Sequence, residues 1–159
     1  MLYYEDFQIG DARTAGDYEM REEEIIAFAQ QWDPQPWHVD PEAAARSPMQ
    51  GITASSCHTY AVAARLLNRM SAVAGIASLK HELELPAPAR PGDRLTLTMT
   101  CVDKRASGSK PDRGLVTFDS VLVNQAGTVV LKLRSLMMIK TRAAAHAVAA
   151  ASNRRAQPE

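Results

Sequence analysis

Four stretches between Ile76 and Lys140, IASLKHELEL, RLTLTMTCVDKRA, GLVTFDSVLVN and TVVLKLRSLMMIK, alternate apolar with polar residues or are rich in β-branched ones. The turn signals PAPARPGD, SGSKPDRG and NQAG separate them. A period of two cannot bury a helical stripe, so this part of the chain must form a sheet, and three successive hairpins would make it antiparallel. Ahead of it lies GITASSCHTYAVAARLLNRMSAVAG, the longest apolar segment. Apolar residues nearly all round predict a buried central helix, starting near Ser55 or Ser56 and stopping by Gly75.

The N-terminal part adds smaller elements. Residues Ala12 to Met20 are expected to form a short strand, and REEEIIAFAQQW has Ile25, Ile26, Ala29 and Trp32 on one helical face. Glu22, Glu23 and Glu24 suit the positive end of that helix. It must end at Asp33, because Pro34 disfavours helical geometry in the residue before it. DPEAAARS reads as a short second helix with Asp40 as N-cap and Pro41 at the first position. The expected architecture is α+β: one domain over residues 1–142 with a curved antiparallel sheet wrapped around one long helix, the hotdog arrangement. Pattern alone also allows other folds with one helix on a sheet. Residues 143–159, alanine-rich and then polar, are expected to be a frayed helix or disordered tail.

Bulk properties narrow the partners. Eighteen basic and eighteen acidic residues cancel, and no basic stripe alternates with aromatics, so a nucleic-acid partner is not expected. No segment approaches the roughly 20 apolar residues that span a bilayer, and MLYYEDFQIGDARTAG carries acids where a secretory signal would be basic and then apolar. Cys57 and Cys101 form no ligand-spaced cluster and need no disulfide at this length. A soluble cytoplasmic protein is the expectation.

The stretch QWDPQPWHVD holds the most chemistry. Asp33 would sit at the carboxyl end of a helix, where the macrodipole disfavours negative charge by about 0.3–1 kcal/mol. A local conflict of this kind marks a functional position, although Asp before Pro also serves as a turn residue. His38 follows two prolines that fix backbone angles and are expected to hold the loop extended, presenting both side chains in a set relation. Asp40 is explained by capping. The backbone N–H groups of Ser55, Ser56 and Cys57 at the start of the long helix could polarise a carbonyl, or Ser55 and Ser56 could simply cap. Cys57 and His58 diverge by about 100° on a helix, which disfavours a nucleophile pair. His38, Asp40, Cys57 and His58 match no familiar metal spacing, so no metal is expected. His81 and His146 show no partner, and RPGD, Arg90 to Asp93, reads as a turn.

DPQPWHVDPEAAA followed by GITASSCHTYA resembles the MaoC-like hydratase/dehydratase family of hotdog proteins, related to the (R)-specific enoyl-CoA hydratases. The family signature is an Asp-x-Asn-Pro-aliphatic-His loop leading into a Gly-rich helix start. YYEDFQIGD, PARPGDRL and NQAGTVV are similar too, so the resemblance runs from about Tyr3 to Arg142. It implies that Asp33 and His38 are a catalytic pair holding one water, and that backbone N–H near Ser56 polarises a thioester carbonyl. The implied reaction is addition or removal of water at the 2,3-position of an acyl-CoA or acyl-carrier thioester, with no cofactor besides the thioester. A homodimer with the site near its interface is expected. Gln35 and Trp37 depart from the signature's Asn and aliphatic residue, and Ser55 and Ser56 from a His-Gly pair. The alternatives are a hotdog dimer that binds an acyl thioester or a partner without turnover, and a thioesterase.

Overall fold

A computed structural model describes residues 1–70 and 72–147 of the 159-residue chain. After a 3-10 turn at Tyr4–Asp6 come β1 (Ala12–Glu19), α1 (Glu22–Trp32), α2 (Pro36–Val39), α3 (Pro41–Arg46) and α4 (Ser56–Met70). The rest is β2 (Gly75–Glu84), β3 (Arg94–Ala106), β4 (Arg113–Val123) and β5 (Val129–Lys140), followed by helical residues at 142–147. The remainder of the alanine-rich tail lies outside the described residues.

All five strands form one antiparallel sheet in the order β1-β3-β4-β5-β2, curved around α4 in the hotdog arrangement. The expectation of three successive hairpins is corrected here. Only β3–β4 and β4–β5 are hairpins, and β2 pairs with β5 across the sheet. Alternation announces a strand and its buried face, but it carries no information about which neighbour the strand finds.

The core follows the period of two. Gly114, Val116, Phe118, Ser120 and Leu122 of β4 all point inward, and Leu95 and Leu97 of β3 face the same interior. Against them α4 packs Val62, Ala63 and Leu66. Burying Leu66 completely contributes about 1.5–3 kcal/mol of hydrophobic free energy. The expectation that α4 is buried all round is also corrected, because Ser56, Cys57, Ala61, Arg65, Asn68 and Arg69 are exposed. Apart from Cys57 and Ala61, the exposed positions are polar, so α4 is amphipathic rather than apolar all round.

A second cluster joins Phe7, Cys101, Val116, Phe118 and Ile139, with Phe7 edge-on to Phe118 at 5.2 Å between ring centroids. Both cysteines are free, Cys57 exposed and Cys101 buried. Strand β2 is exposed along its whole length and forms one edge of the sheet. Two register shifts interrupt it, one between Gly75 and Ala77 and one between Ser78 and Lys80. No described helix is long and apolar enough to cross a membrane.

Candidate active site

Helix α1 stops where Pro34 requires it to. Asp33 is its C-cap, with φ −158° and ψ 70°, and its backbone N–H still donates to the Ala29 carbonyl at 2.8 Å. Phe28, one turn earlier on α1, stacks on His58 of α4 with the rings 4.6 Å apart and 7° from parallel. This contact fixes the end of α1 against the first turns of α4. Asp33 is thereby presented beside the long helix, its side chain 28% exposed.

The loop to His38 is less extended than its prolines suggest. Gln35 is extended, but Pro36–Val39 forms a single helical turn with Pro36 at its start. Proline at the first helical position has no N–H to leave unpaired and already has the required φ. The turn brings the His38 imidazole inward, where the residue is 8% exposed. Asp40 then caps α3, its Oδ1 accepting from the N–H of Glu42 at 2.9 Å and of Ala43 at 3.1 Å.

The hydrogen bonds of His38 define its protonation pattern. Its Nδ1 lies 2.6 Å from the carbonyl oxygen of Thr53, which can only accept, so Nδ1 carries the proton. Nε2 is therefore an acceptor, and the indole Nε1–H of Trp37 donates to it at 3.1 Å. The nearest Asp33 oxygen, Oδ2, is 3.7 Å from the same Nε2. A carboxylate and an imidazole lone pair are both acceptors and cannot bond each other directly. An oxygen with two protons could donate one to each.

Thr53 stands three residues ahead of α4, so the bond that orients His38 also ties it to the helix start. Ser55 is buried and turned inward. Its Oγ accepts from the backbone N–H of His58 at 3.2 Å, and its carbonyl accepts from Thr59. Ser55 is thus a capping residue, whereas Ser56 and Cys57 are exposed in the first turn. Among the described residues no protein group accepts from the N–H of Ser56 or Cys57, leaving these as the open donors of the helix.

His58 is 6% exposed and its Nδ1 has no hydrogen-bond partner. Burial lowers its pKa, opposed by the nearby Glu24 carboxylate. Neighbours on a helix diverge, and here Cys57 faces solvent while its neighbour lies in the interior. Sequence reasoning also left His81 without partners. In the fold it lies between the hydroxyls of Tyr60 and Ser78 and is hydrogen-bonded to both.

A MaoC like domain model matches residues 6–122. Among solved structures, the MaoC-like dehydratase from Rhodospirillum rubrum is similar, at 38% identity and a TM-score of 0.85, over 89% of this chain and 99% of that one. The unliganded R-hydratase PhaJ1 from Pseudomonas aeruginosa shares the fold at 21% identity and a TM-score of 0.72, over 88% of this chain and 86% of that one. The uncharacterized protein YdeM of Bacillus subtilis (strain 168) is 26% identical over 141 residues, covering 86% of this chain and 97% of YdeM. With most of its sheet, its central helix and the Asp33–His38 turn inside the matched region, the chain belongs to the MaoC-like hydratase/dehydratase family.

Proposed function

We propose that this protein adds water to, or removes it from, the 2,3-position of an acyl thioester of the trans-2-enoyl-CoA and (R)-3-hydroxyacyl-CoA type. The observation that carries this reading is the pair of acceptors, Asp33 Oδ2 and His38 Nε2, held 3.7 Å apart with the imidazole proton committed to Thr53. One water donating to both would keep its lone pairs free for attack, within the 2.6–3.2 Å reach that general acid–base catalysis needs.

In hydration, the water oxygen bonds to C3 as one of its protons passes to the pair. The π electrons move through C2 onto the thioester oxygen, and C2 then takes a proton from the pair, restoring the carbonyl. A single pair that both removes and returns a proton delivers H and OH to the same face. The developing oxyanion would be met by the N–H groups of Ser56 and Cys57, in the field of the α4 N-terminus. Asp33 and His38 share one water, so base and acid are not assigned separately. The reaction asks for no metal or redox cofactor.

The same reading includes a homodimer. Strand β2 has an open edge, and Ile76, Leu79 and Leu83 on it are exposed large apolar side chains. Antiparallel pairing of this edge with a second copy would satisfy its backbone and bury those residues, and a strand paired with its own copy generates a two-fold axis.

A second reading, an acyl-thioester-binding module without turnover, is favoured by one observation: the Trp37 indole already occupies the His38 lone pair. A panel of trans-2-enoyl-CoA substrates separates the readings. Loss of the conjugated double bond by native protein, abolished in Asp33→Asn, is the expected result. Hydration that survives Asp33→Asn would remove the pair from the mechanism. Thiol release without hydration would instead mark a thioesterase, and silence at every chain length would favour the binding module.

A further inference from the structure

The two edges of the sheet are not equivalent. Strand β1 is interrupted where its register with β3 shifts between Ala15 and Tyr18, and Asp17 there takes a φ of 68°. A bulged edge of this kind resists pairing with another chain. Strand β2 is bulged near its start, but from Lys80 to Glu84 it runs in unbroken register against Leu136 to Lys132 of β5. Pro86, which has no N–H, lies just past its end. The outer side of this run pairs with no strand among the described residues.

The side chains of the run divide between two faces. His81 and Leu83 stand opposite Ser135 and Leu133 of β5, both buried, so they belong to the inner face of the sheet. Lys80, Glu82 and Glu84 alternate with them onto the outer face, where Lys80 Nζ lies 2.6 Å from Glu82 and Lys132 Nζ lies 3.5 Å from Glu84. Residues three apart on a regular strand point to opposite faces, yet His81 is hydrogen-bonded to the hydroxyls of both Ser78 and Tyr60. Between Ser78 and Lys80 strand β2 advances two residues while β5 advances one, so Leu79 is the extra residue of a bulge that returns Ser78 to the side of His81.

We propose that two copies of this chain pair antiparallel along Lys80–Glu84 with the two-fold axis at His81, so that Lys80 of each copy stands opposite Glu82 of the other. This register rests on the dimer included in the proposed function and specifies how its edges meet. Two constraints select it. Residues directly opposite each other in an antiparallel pair share a face, so the axis falls on a residue rather than between two. Opposite charges across strands attract, and like charges repel. Centred on Lys80, Glu82 or Glu84, the pairing would set a charge against its own copy, and centred on Leu83 it would set Glu82 against Glu84. Centred on His81, it forms a square of alternating charge from Lys80 and Glu82 of both copies.

The inner face agrees with this choice. Leu83, 41% exposed, comes opposite the bulge at Leu79 of the second copy, itself 48% exposed. The two His81 residues meet at the axis, with Cα atoms about 4.5–5.5 Å apart. His81 lines a cleft of about 560 Å³ between α4 and the sheet, together with Tyr60 and Ser78. Each cleft therefore gains the second copy's imidazole at its polar end.

Charge exchange read by analytical ultracentrifugation tests the register, at low ionic strength so that the charges are weakly screened. Lys80→Glu alone and Glu82→Lys alone each turn two attractive pairs into two repulsive ones, and each should raise the dimer dissociation constant at least about tenfold. Mixed in equal amounts, the two variants should form a heterodimer about as tight as the native dimer, because each new charge then meets its opposite across the axis. Thermal unfolding of each variant confirms that the fold is intact. Centring on Glu82 instead would leave Glu82→Lys as dimeric as native protein. That result, or single variants that weaken and do not recover on mixing, would overturn the register while leaving the dimer in place. A native monomer would overturn both. Hydration of enoyl-CoA is scored separately on native protein, so failure of the register and failure of the hydratase reading are told apart.

Discussion

The indole Nε1–H of Trp37 donates to Nε2 of His38 at 3.1 Å, on the side of the ring away from its bond to Thr53. Both residues belong to the same helical turn, and both nitrogens of the imidazole are engaged by protein. The indole and the water of the proposed mechanism would compete for one lone pair. A neutral hydrogen bond of this kind contributes about 0.5–1.5 kcal/mol net. Trp37→Phe keeps an aromatic ring and removes only the competitor. It is expected to raise kcat by about two- to tenfold, the same energy read as a rate, with little change in KM. A fall in kcat of tenfold or more would show instead that the indole positions the ring.

Asp33→Asn replaces an acceptor-only carboxylate with an amide of the same shape. Loss of one general acid–base group typically costs about 10²–10⁴ in rate. The expected outcome is a fall in kcat of that size, measured by disappearance of the enoyl absorbance. Retention of the thermal unfolding midpoint within a few degrees would show that the loss is chemical.

His58 gives the fold an acid-sensitive point. Burial lowers its folded pKa below the ordinary value of 6.5, so the unfolded chain takes up the proton first as pH falls. Stability from this residue is fully present above 6.5 and is lost as pH drops toward the folded value, at no more than about 1.4 kcal/mol per pH unit for one proton. The lowered carboxylates Glu24 and Asp119 act only below their ordinary values of 4.5 and 3.8. Urea unfolding between pH 7 and 5 should therefore show a decline in native protein that His58→Phe flattens. An identical slope in the variant would remove His58 as its source.

Gly114 lies under the ring of Tyr4, where an added Cβ would come within 2.2 Å of the ring. Lys104 also lies against this ring, its Nζ 4.5 Å from the ring centroid and donating to the Phe7 carbonyl at 2.6 Å. Gly114→Ala forces this N-terminal turn off the sheet and should cost about 1–3 kcal/mol. Chemical denaturation measures it, and a loss below 0.5 kcal/mol, estimated on the same overpacking scale, would mean that the turn detaches freely.

Leu79 is 48% exposed at the bulge of β2. Leu79→Lys places a charge where a second copy would pack, and inward charges on an edge strand oppose edge-to-edge pairing. Sedimentation of the native protein should give a dimer and of the variant a larger monomer fraction. A native monomer at micromolar concentration would contradict the dimer.

Local chemistry was legible from the residues, and long-range partnership was not. Asp40 and Pro41 announce α3, Pro34 announces the end of α1, and the alternation of β4 gives its buried face. Each of these signals acts within a few residues. The pairing of β2 with β5 depends on contacts between segments distant in sequence, for which alternation is silent. His81 shows the limit sharply. Its spacing from Ser78 argues that the two point apart, and only a bulge that depends on the register with β5 brings them together. The donor on His38 Nε2 was hidden for another reason. Trp37 reads as a bulky replacement for an aliphatic residue, and its polar edge matters only once the helical turn sets its orientation.

The continuous run from α4 into β2, residues 56–84, carries Tyr60, Ser78 and His81, whereas Asp33 and His38 lie in a separate turn upstream. Variation in that one run would change the side chains around His81 without touching the turn that ends at Val39. Under the proposed function, drift confined to the exposed edge strand β2 would disturb little core packing and leave the Asp33–His38 turn as it is.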